Sequence, residues 1–193
     1  MNYYSQFGED QWIVEHLSLP EQGFFVDVGA GDGISCSNTL HFEEKGWRGI
    51  CIDADHRCYA KLIETRHTPV LAAIRNQVGM TDFSLAVPRS GWSGVKPLIG
   101  QPHIEVKMPC VPLSVVLAGM SVPVIDLLSI DVEGLEREVL ESFSLDAYQP
   151  KVIIVEYLAR DTHNHTEDLM SFFAGKPYQL MHTTDANLIW NRH

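Results

Sequence analysis

Phe24-Phe25-Val26-Asp27-Val28-Gly29-Ala30-Gly31-Asp32-Gly33 is an apolar run that breaks into closely spaced glycines. A continuous rather than alternating run marks a strand buried on both faces, as in a central strand of a parallel sheet. Glycines at such a strand end let the chain turn sharply and let backbone approach a ligand. The NAD fingerprint needs G-x-G-x-x-G before a helix. Here Gly29-x-Gly31-x-Gly33 leads into Ile34, so the third glycine is misplaced. Asp27 and Asp32 would also repel a pyrophosphate. They suit a ligand with an amino group and a sulfonium, the groups that S-adenosylmethionine carries.

Outward from that loop, strand-length apolar runs alternate with segments of helical period, the pattern of an α/β domain. Residues 37–45 read as a helix ended by Gly46, residues 47–53 as a strand, 56–66 as a helix and 69–74 as a third strand. Residues 81–87 and 104–111 alternate, with Pro109 and Pro112 marking an edge strand or strand end. Between them lies an irregular loop, 88–103, read as a candidate substrate lid around Trp92; anchoring that loop is the equal alternative for Trp92. The rhythm resumes with a strand over 124–130, a helix with Leu135, Val139 and Leu140 on one stripe, a strand over 150–157, a helix over 166–174 and a closing hairpin of 178–182 and 187–190. The expectation is one domain over 1–193, an α/β Rossmann-like doubly wound sheet, with residues 1–20 a helical segment over the ligand site.

Asp53 ends the strand after the glycine loop, where a carboxylate accepts hydrogen bonds from both ribose hydroxyls of a nucleoside. The competing role, capping the next helix, falls better to Asp55. Asp131 and Glu133 follow the strand over 124–130 on the same sheet edge, where ligands of open α/β sheets bind. A carboxylate there can take a proton from a substrate hydroxyl. Glu133 reads equally well as a first-turn charge of the following helix.

These stretches together resemble the FkbM-type methyltransferases, a branch of the class I S-adenosylmethionine-dependent enzymes. The matching pieces are Tyr4-Ser5-Gln6-Phe7-Gly8-Glu9-Asp10, residues 25–33, Ser37-Asn38-Thr39, residues 46–53, Ile130-Asp131-Val132-Glu133-Gly134 and Val155-Glu156. The resemblance implies a seven-stranded, mostly parallel sheet with a C-terminal antiparallel strand. It implies S-adenosylmethionine as cofactor, held by Gln6, Asp27, Gly29, Ala30, Gly31, Asp32, Ser37, Asn38, Asp53, Ala54 and Asp131. Asp131 would lie nearest the transferring methyl, and Ser37 and Asn38 would hold the methionine carboxylate from the first turns of a helix. Ile52-Asp53-Ala54 departs from the family's frequent glutamate-proline pair, and a shorter acid still reaches a ribose.

Deprotonation of the acceptor falls to Asp131, Glu156 or His163. A metal held by Glu156, His163 and His165 is the weaker reading, because i,i+2 histidines in a polar loop are more often solvated, and no metal site is assigned. The expected reaction is O-methylation of a hydroxyl on a small-molecule, sugar or glycan-like acceptor, with N-methylation left open. Net charge is −11 over 193 residues, which argues against a broad grip on nucleic acid or an anionic membrane. A nucleic-acid cap methyltransferase is thereby disfavoured, although Arg57, Lys61 and Arg66 offer a local basic patch. A cofactor-binding domain without turnover is the non-enzyme rival, opposed by Asp27, Asp53 and Asp131. Cys36, Cys51, Cys58 and Cys110 lack CxxC spacing and read as reduced thiols, two of them beside strand-like apolar runs as small buried hydrophobes. No leader or membrane-length run is seen, giving the expectation of a cytoplasmic protein.

Overall fold

The computed structural model describes residues 2–87, 93–95, 102–122, 124–158 and 165–193. Its main sheet has seven strands: β1 (Phe24–Val28), β2 (Arg48–Asp53), β3 (Pro69–Leu71), β7 (Leu127–Ile130), β8 (Val152–Glu156), β9 (Tyr178–Thr183) and β10 (Asn187–Arg192). They lie in the order β3-β2-β1-β7-β8-β10-β9. The first five pair in parallel, and β10 runs antiparallel to both β8 and β9. The doubly wound sheet read from the sequence is therefore present, closed by its C-terminal hairpin.

Side-chain alternation sorts the core into two layers. Val26, Val28, Leu128, Ile130, Ile153 and Val155 face α4 (Leu113–Gly119), α5 (Glu136–Glu141) and α7 (Thr166–Phe173). Phe25, Leu127, Ile154 and Ile189 face α1 (Glu9–His16), α2 (Leu40–Glu44) and α3 (His56–Thr65). A short α6 (Leu145–Tyr148) precedes β8. Strands covered on both sides explain the unbroken apolar runs.

The outline differs from the sequence expectation in three places. A single sheet was expected, but β4 (Ala73–Ile74), β5 (Gly79–Ala86) and β6 (His103–Val111) form a second sheet in the order β4-β6-β5. The strand expected over 69–74 is accordingly split at Ala72, with β3 in the main sheet and β4 in the small one. Pro109 is tolerated because β6 meets β4 only at Cys110 and Val111, so no ladder bond on that side needs its missing N–H. Finally, the helix expected from Ser37 begins at Leu40; residues 37–39 are turn, held by Ser37 Oγ accepting from the backbone N–H of Thr39 at 3.3 Å and of Leu40 at 3.1 Å. Helices α4 and α6 had no periodic signal long enough to be read.

Cys51, Cys58 and Cys110 are buried and Cys36 is exposed, all as free thiols. Among the described residues no helix is long and apolar enough to cross a membrane. The lid segment around Trp92 lies largely outside the described residues. Leu128, with no solvent exposure at the centre of the sheet, tests the core directly. Leu128→Ala should lower unfolding free energy by about 2–5 kcal/mol, read as a reduced urea midpoint with unchanged slope.

Candidate active site

Strand order reverses between β1 and β7, and the chain diverges there to leave a crevice at the strand ends. Gly29 sits on one lip with φ +87°, a left-handed conformation. A Cβ on Gly29 would fall 1.6 Å from the Asp131 carbonyl oxygen on the other lip, far inside van der Waals contact. The amides of Gly29 and Ala30 donate to the Ile52 carbonyl at 2.9 and 3.1 Å, and the Asp131 amide donates to Val28 at 2.9 Å. The loop is thus sewn to both neighbouring strands.

A cavity opens on this seam. Gly29, Gly31, Asp53, Ala54, Asp131 and Glu133 line its polar side, and Ala72, Ile74, Phe83 and Val95 its apolar side. The small sheet therefore forms part of the cavity wall: its hairpin brings Phe83 beside Ala54, at the end of β2. Asp53 Oδ2 accepts from Gly31 N–H at 2.8 Å and Oδ1 from Asp55 N–H at 2.7 Å. Each oxygen keeps a second lone pair for a ligand. Burial pushes the Asp53 carboxyl up to about 7. Asp55 caps α3 as expected, accepting from Arg57 N–H at 2.8 Å, and also accepts from Ser93 Oγ at 2.7 Å, which ties residues 93–95 to the pocket wall.

The other expected cofactor residues lie around the loop rather than on this cavity. Asp32 closes its own turn, accepting from Ile34 N–H, Ser35 N–H and Ser35 Oγ at 2.7–3.0 Å. Ala30 is buried, and Asp27 is 4% exposed beneath the loop, accepting from Thr39 Oγ1 at 2.6 Å. Asn38 donates to Ser129 Oγ at 3.1 Å, pinning the turn after the loop to β7. Gln6 is exposed on a segment whose Ser5 bridges Cys36. That segment is held by two wholly buried acids. Asp10 accepts from Tyr4 N–H at 2.7 Å and Ser5 Oγ at 2.5 Å, and Glu9 accepts from Thr184 Oγ1 and Asn187 Nδ2, each at 2.8 Å. Helix α1 follows this segment, and the Ser5–Cys36 bridge sets the segment beside the turn after the glycine loop.

Glu156 ends β8 beside Asp131, and its carboxyl is raised by burial and then by the charges of Asp131, Glu133 and Glu136, with a hydrogen bond to Asp131. A proton therefore stays on this pair near neutral pH. Glu156 is paired with Asn187 across β8 and β10, and Glu156 Oε2 and Asn187 Oδ1 are buried with no hydrogen-bond partner. Glu133, at φ +59°, lines the cavity and lies outside α5, so its reading as a first-turn helix charge is not borne out. Glu136 supports that turn by accepting from Gly134 and Val132 N–H at 2.9 and 3.2 Å, and burial pushes its carboxyl up to about 7. His163 lies outside the described residues.

The basic patch does not form. Arg57 is ion-paired with Asp55 at 2.6 Å, and the Arg66 side chain is fully buried. The sequence reading missed the roles of Arg66, Phe83, Ser93, Glu136 and Asn187, none of which carries a local motif. Periodicity could have flagged one of them: Phe83 alternates with Leu85 on the face opposite Asp82 and so had to face an interior.

A family model described as the methyltransferase FkbM domain matches residues 27–180. The chain belongs to the FkbM methyltransferase family. Among solved structures, this FkbM methyltransferase is similar to a chain of a fibrillarin/Nop5p complex, with 13% identity, a TM-score of 0.56, and 98% of this chain and 81% of the other covered. It is also similar to a TehB-like SAM-dependent methyltransferase from Corynebacterium glutamicum, at 9% identity and a TM-score of 0.53, covering 98% and 89%. At such identities the likeness is one of fold. No curated protein sequence matches. Since Gly29 has neither the conformation nor the space for a side chain, Gly29→Ala should separate the β1 and β7 ends. The expected result is a melting temperature lowered by several degrees and loss of nucleoside binding; a wild-type melting curve with intact binding would contradict the close approach.

Proposed function

We propose that this FkbM methyltransferase takes S-adenosylmethionine and transfers its methyl to a hydroxyl of a small-molecule, sugar or glycan-like acceptor. The residues fit that cofactor: a glycine loop in which Gly29 has no space for a Cβ and Gly31 leaves open space beside the cavity, a carboxylate with free lone pairs for ribose hydroxyls, and an apolar wall of Ala72, Ile74 and Phe83 for a base. When bound, the cofactor supplies an electrophilic methyl on a sulfonium, leaving as a neutral thioether.

The observation that carries the O-methylation reading is the Asp131–Glu156 carboxyl pair at the ends of adjacent strands, next to the cradle. A hydroxyl attacking carbon must give up its proton as the bond forms. Asp131 is the group to receive it, since it lines the cavity while Glu156 does not. Glu156, kept protonated by burial and by its acidic surroundings, orients Asp131 through their hydrogen bond and spares the site a second adjacent negative charge. The acceptor loses O–H and gains O–C, and the proton rests on Asp131. The acidic neighbourhood and the absence of the basic patch both disfavour a nucleic-acid acceptor.

Two measurements test this. Binding of S-adenosylhomocysteine should strengthen as pH rises through about 7, because the ribose donates to ionised Asp53. Below that pH the affinity should fall toward tenfold per unit, the limit when binding requires one deprotonation. Asp53→Asn should weaken binding and flatten the profile, and a titration showing no binding to the folded wild type would remove the cofactor assignment. In turnover, Asp131→Asn should lower kcat by about 10²–10⁴-fold, the usual contribution of a proton acceptor. Glu156→Gln, an isostere of the protonated acid, should retain far more activity; equal losses in the two variants would exclude Asp131 as the distinct acceptor.

A further inference from the structure

Beneath the glycine loop lies a buried cation with no part in the proton transfer. Arg66 follows α3, and its side chain is fully shielded from solvent. Its Nη1 donates to the Gly33 carbonyl at 3.1 Å and to Ser37 Oγ at 3.2 Å, and its Nη2 donates to Thr39 Oγ1 at 2.9 Å. Its Nε pairs with Glu43 on α2. Thr39 Oγ1 passes the contact on, donating to Asp27 Oδ2 at 2.6 Å, and the guanidinium lies 4.0 Å from that carboxylate. A single planar fork therefore joins the end of the glycine loop, the turn after it, the start of α2 and the end of β1.

The contacts are confined to one side of the loop. Residues 33–39 stand at the end leading away from Asp53, whereas the nucleoside wall is made by Asp53, Ala54, Ala72, Ile74 and Phe83. No contact of Arg66 reaches that wall. A cofactor with its ribose at Asp53 has its amino-acid half left for the loop side, and that half carries a carboxylate. A buried guanidinium below the turn supplies a positive charge there that the acidic surroundings do not.

We propose that Arg66 is the positioning residue for the amino-acid half of the cofactor, fixing residues 33–39 and the Asp27 carboxylate while leaving the nucleoside half untouched. The proposal rests on the S-adenosylmethionine reading and assigns Arg66 no contact with the cofactor. Lysine in its place keeps the charge but cannot span Gly33, Ser37, Thr39 and Glu43 at once. Burial drives the Asp27 carboxyl up, and Arg66 is the first of the groups that oppose this, ahead of Thr39. The fork thus also favours the ionised form of the acid under the loop.

The test separates the two halves of the ligand. S-adenosylhomocysteine and adenosine are titrated into wild type, Arg66→Lys and Thr39→Val. Thr39→Val keeps the side-chain volume and every charge but removes the hydroxyl that links Arg66 to Asp27. Both variants should bind S-adenosylhomocysteine about tenfold or more weaker, the scale of a lost charge-assisted hydrogen bond, while adenosine affinity stays within about twofold. A general loosening of the fold would weaken both ligands together, and that result would overturn the proposal, as would unchanged S-adenosylhomocysteine affinity. Should Arg66→Lys not fold, the split in Thr39→Val decides alone. Wild type that binds adenosine but not S-adenosylhomocysteine would refute the positioning role, and wild type that binds neither would refute the cofactor reading beneath it.

Discussion

The missing Cβ of Gly29 allows the ends of β1 and β7 to meet at the point where the sheet's winding reverses. With the Asp131 carbonyl 1.6 Å from where that atom would be, the glycine loop and the acidic turn are one continuous rim. Much of the site depends on this closeness. It sets Asp131 beside the cradle, draws Glu156 on the next strand into hydrogen-bonding range of Asp131, and leaves Gly31 N–H free to meet Asp53 from the other side. A left-handed backbone at this spot costs glycine little and any other residue considerably more.

Around that rim the protein gathers negative charge and manages it in three ways. Asp53 is satisfied by backbone N–H groups on both oxygens, so it stays available although burial works against its ionisation. Asp27 has a cation and a threonine hydroxyl beneath it. Glu156 keeps its proton, because it is buried and because three other carboxylates crowd the same end of the sheet. The three acids are similar in the sequence but differ in what they can do: one to accept hydrogen bonds from a ligand, one to hold the loop's floor, one to orient its neighbour.

The legible part of this molecule was the part written in local pattern. Continuous apolar runs gave β1, β7 and β8, because burial on both faces removes the need for polar positions. The glycine spacing and the acids at strand ends marked Gly29, Gly31, Asp53 and Asp131 as neighbours, because parallel strands deliver their C-terminal ends to one edge. Function was readable mainly through family resemblance across separated motifs, since a glycine turn alone specifies little more than a nucleotide-sized ligand. What could not be read depends on distant partners. Arg66 looked like surface charge until Gly33, Ser37, Thr39 and Glu43 closed around it. The second sheet was invisible because alternation in 79–86 and 103–111 indicates a strand but not which sheet it joins.

That second sheet shows how the common architecture is specialised. A doubly wound sheet by itself leaves the Asp53 end of the crevice open beyond β3. Here the chain leaves the main sheet at Ala72, two residues after its Val70 pairs with Ile52, and returns as a hairpin whose Phe83, Leu85 and Met108 cluster packs with Ala54 and Leu71. The split in the strand is therefore what creates the apolar wall: were 69–74 to continue in the main sheet, Ala73 and Ile74 would pair with β2's continuation, and β6 would lose its parallel neighbour. The Asp55–Ser93 bond then fastens the wall to the residue that holds Asp53 through its own N–H. The Asp53 carboxylate and the apolar wall thus share one loop, residues 53–55, so that whatever orders the wall also orders the carboxylate.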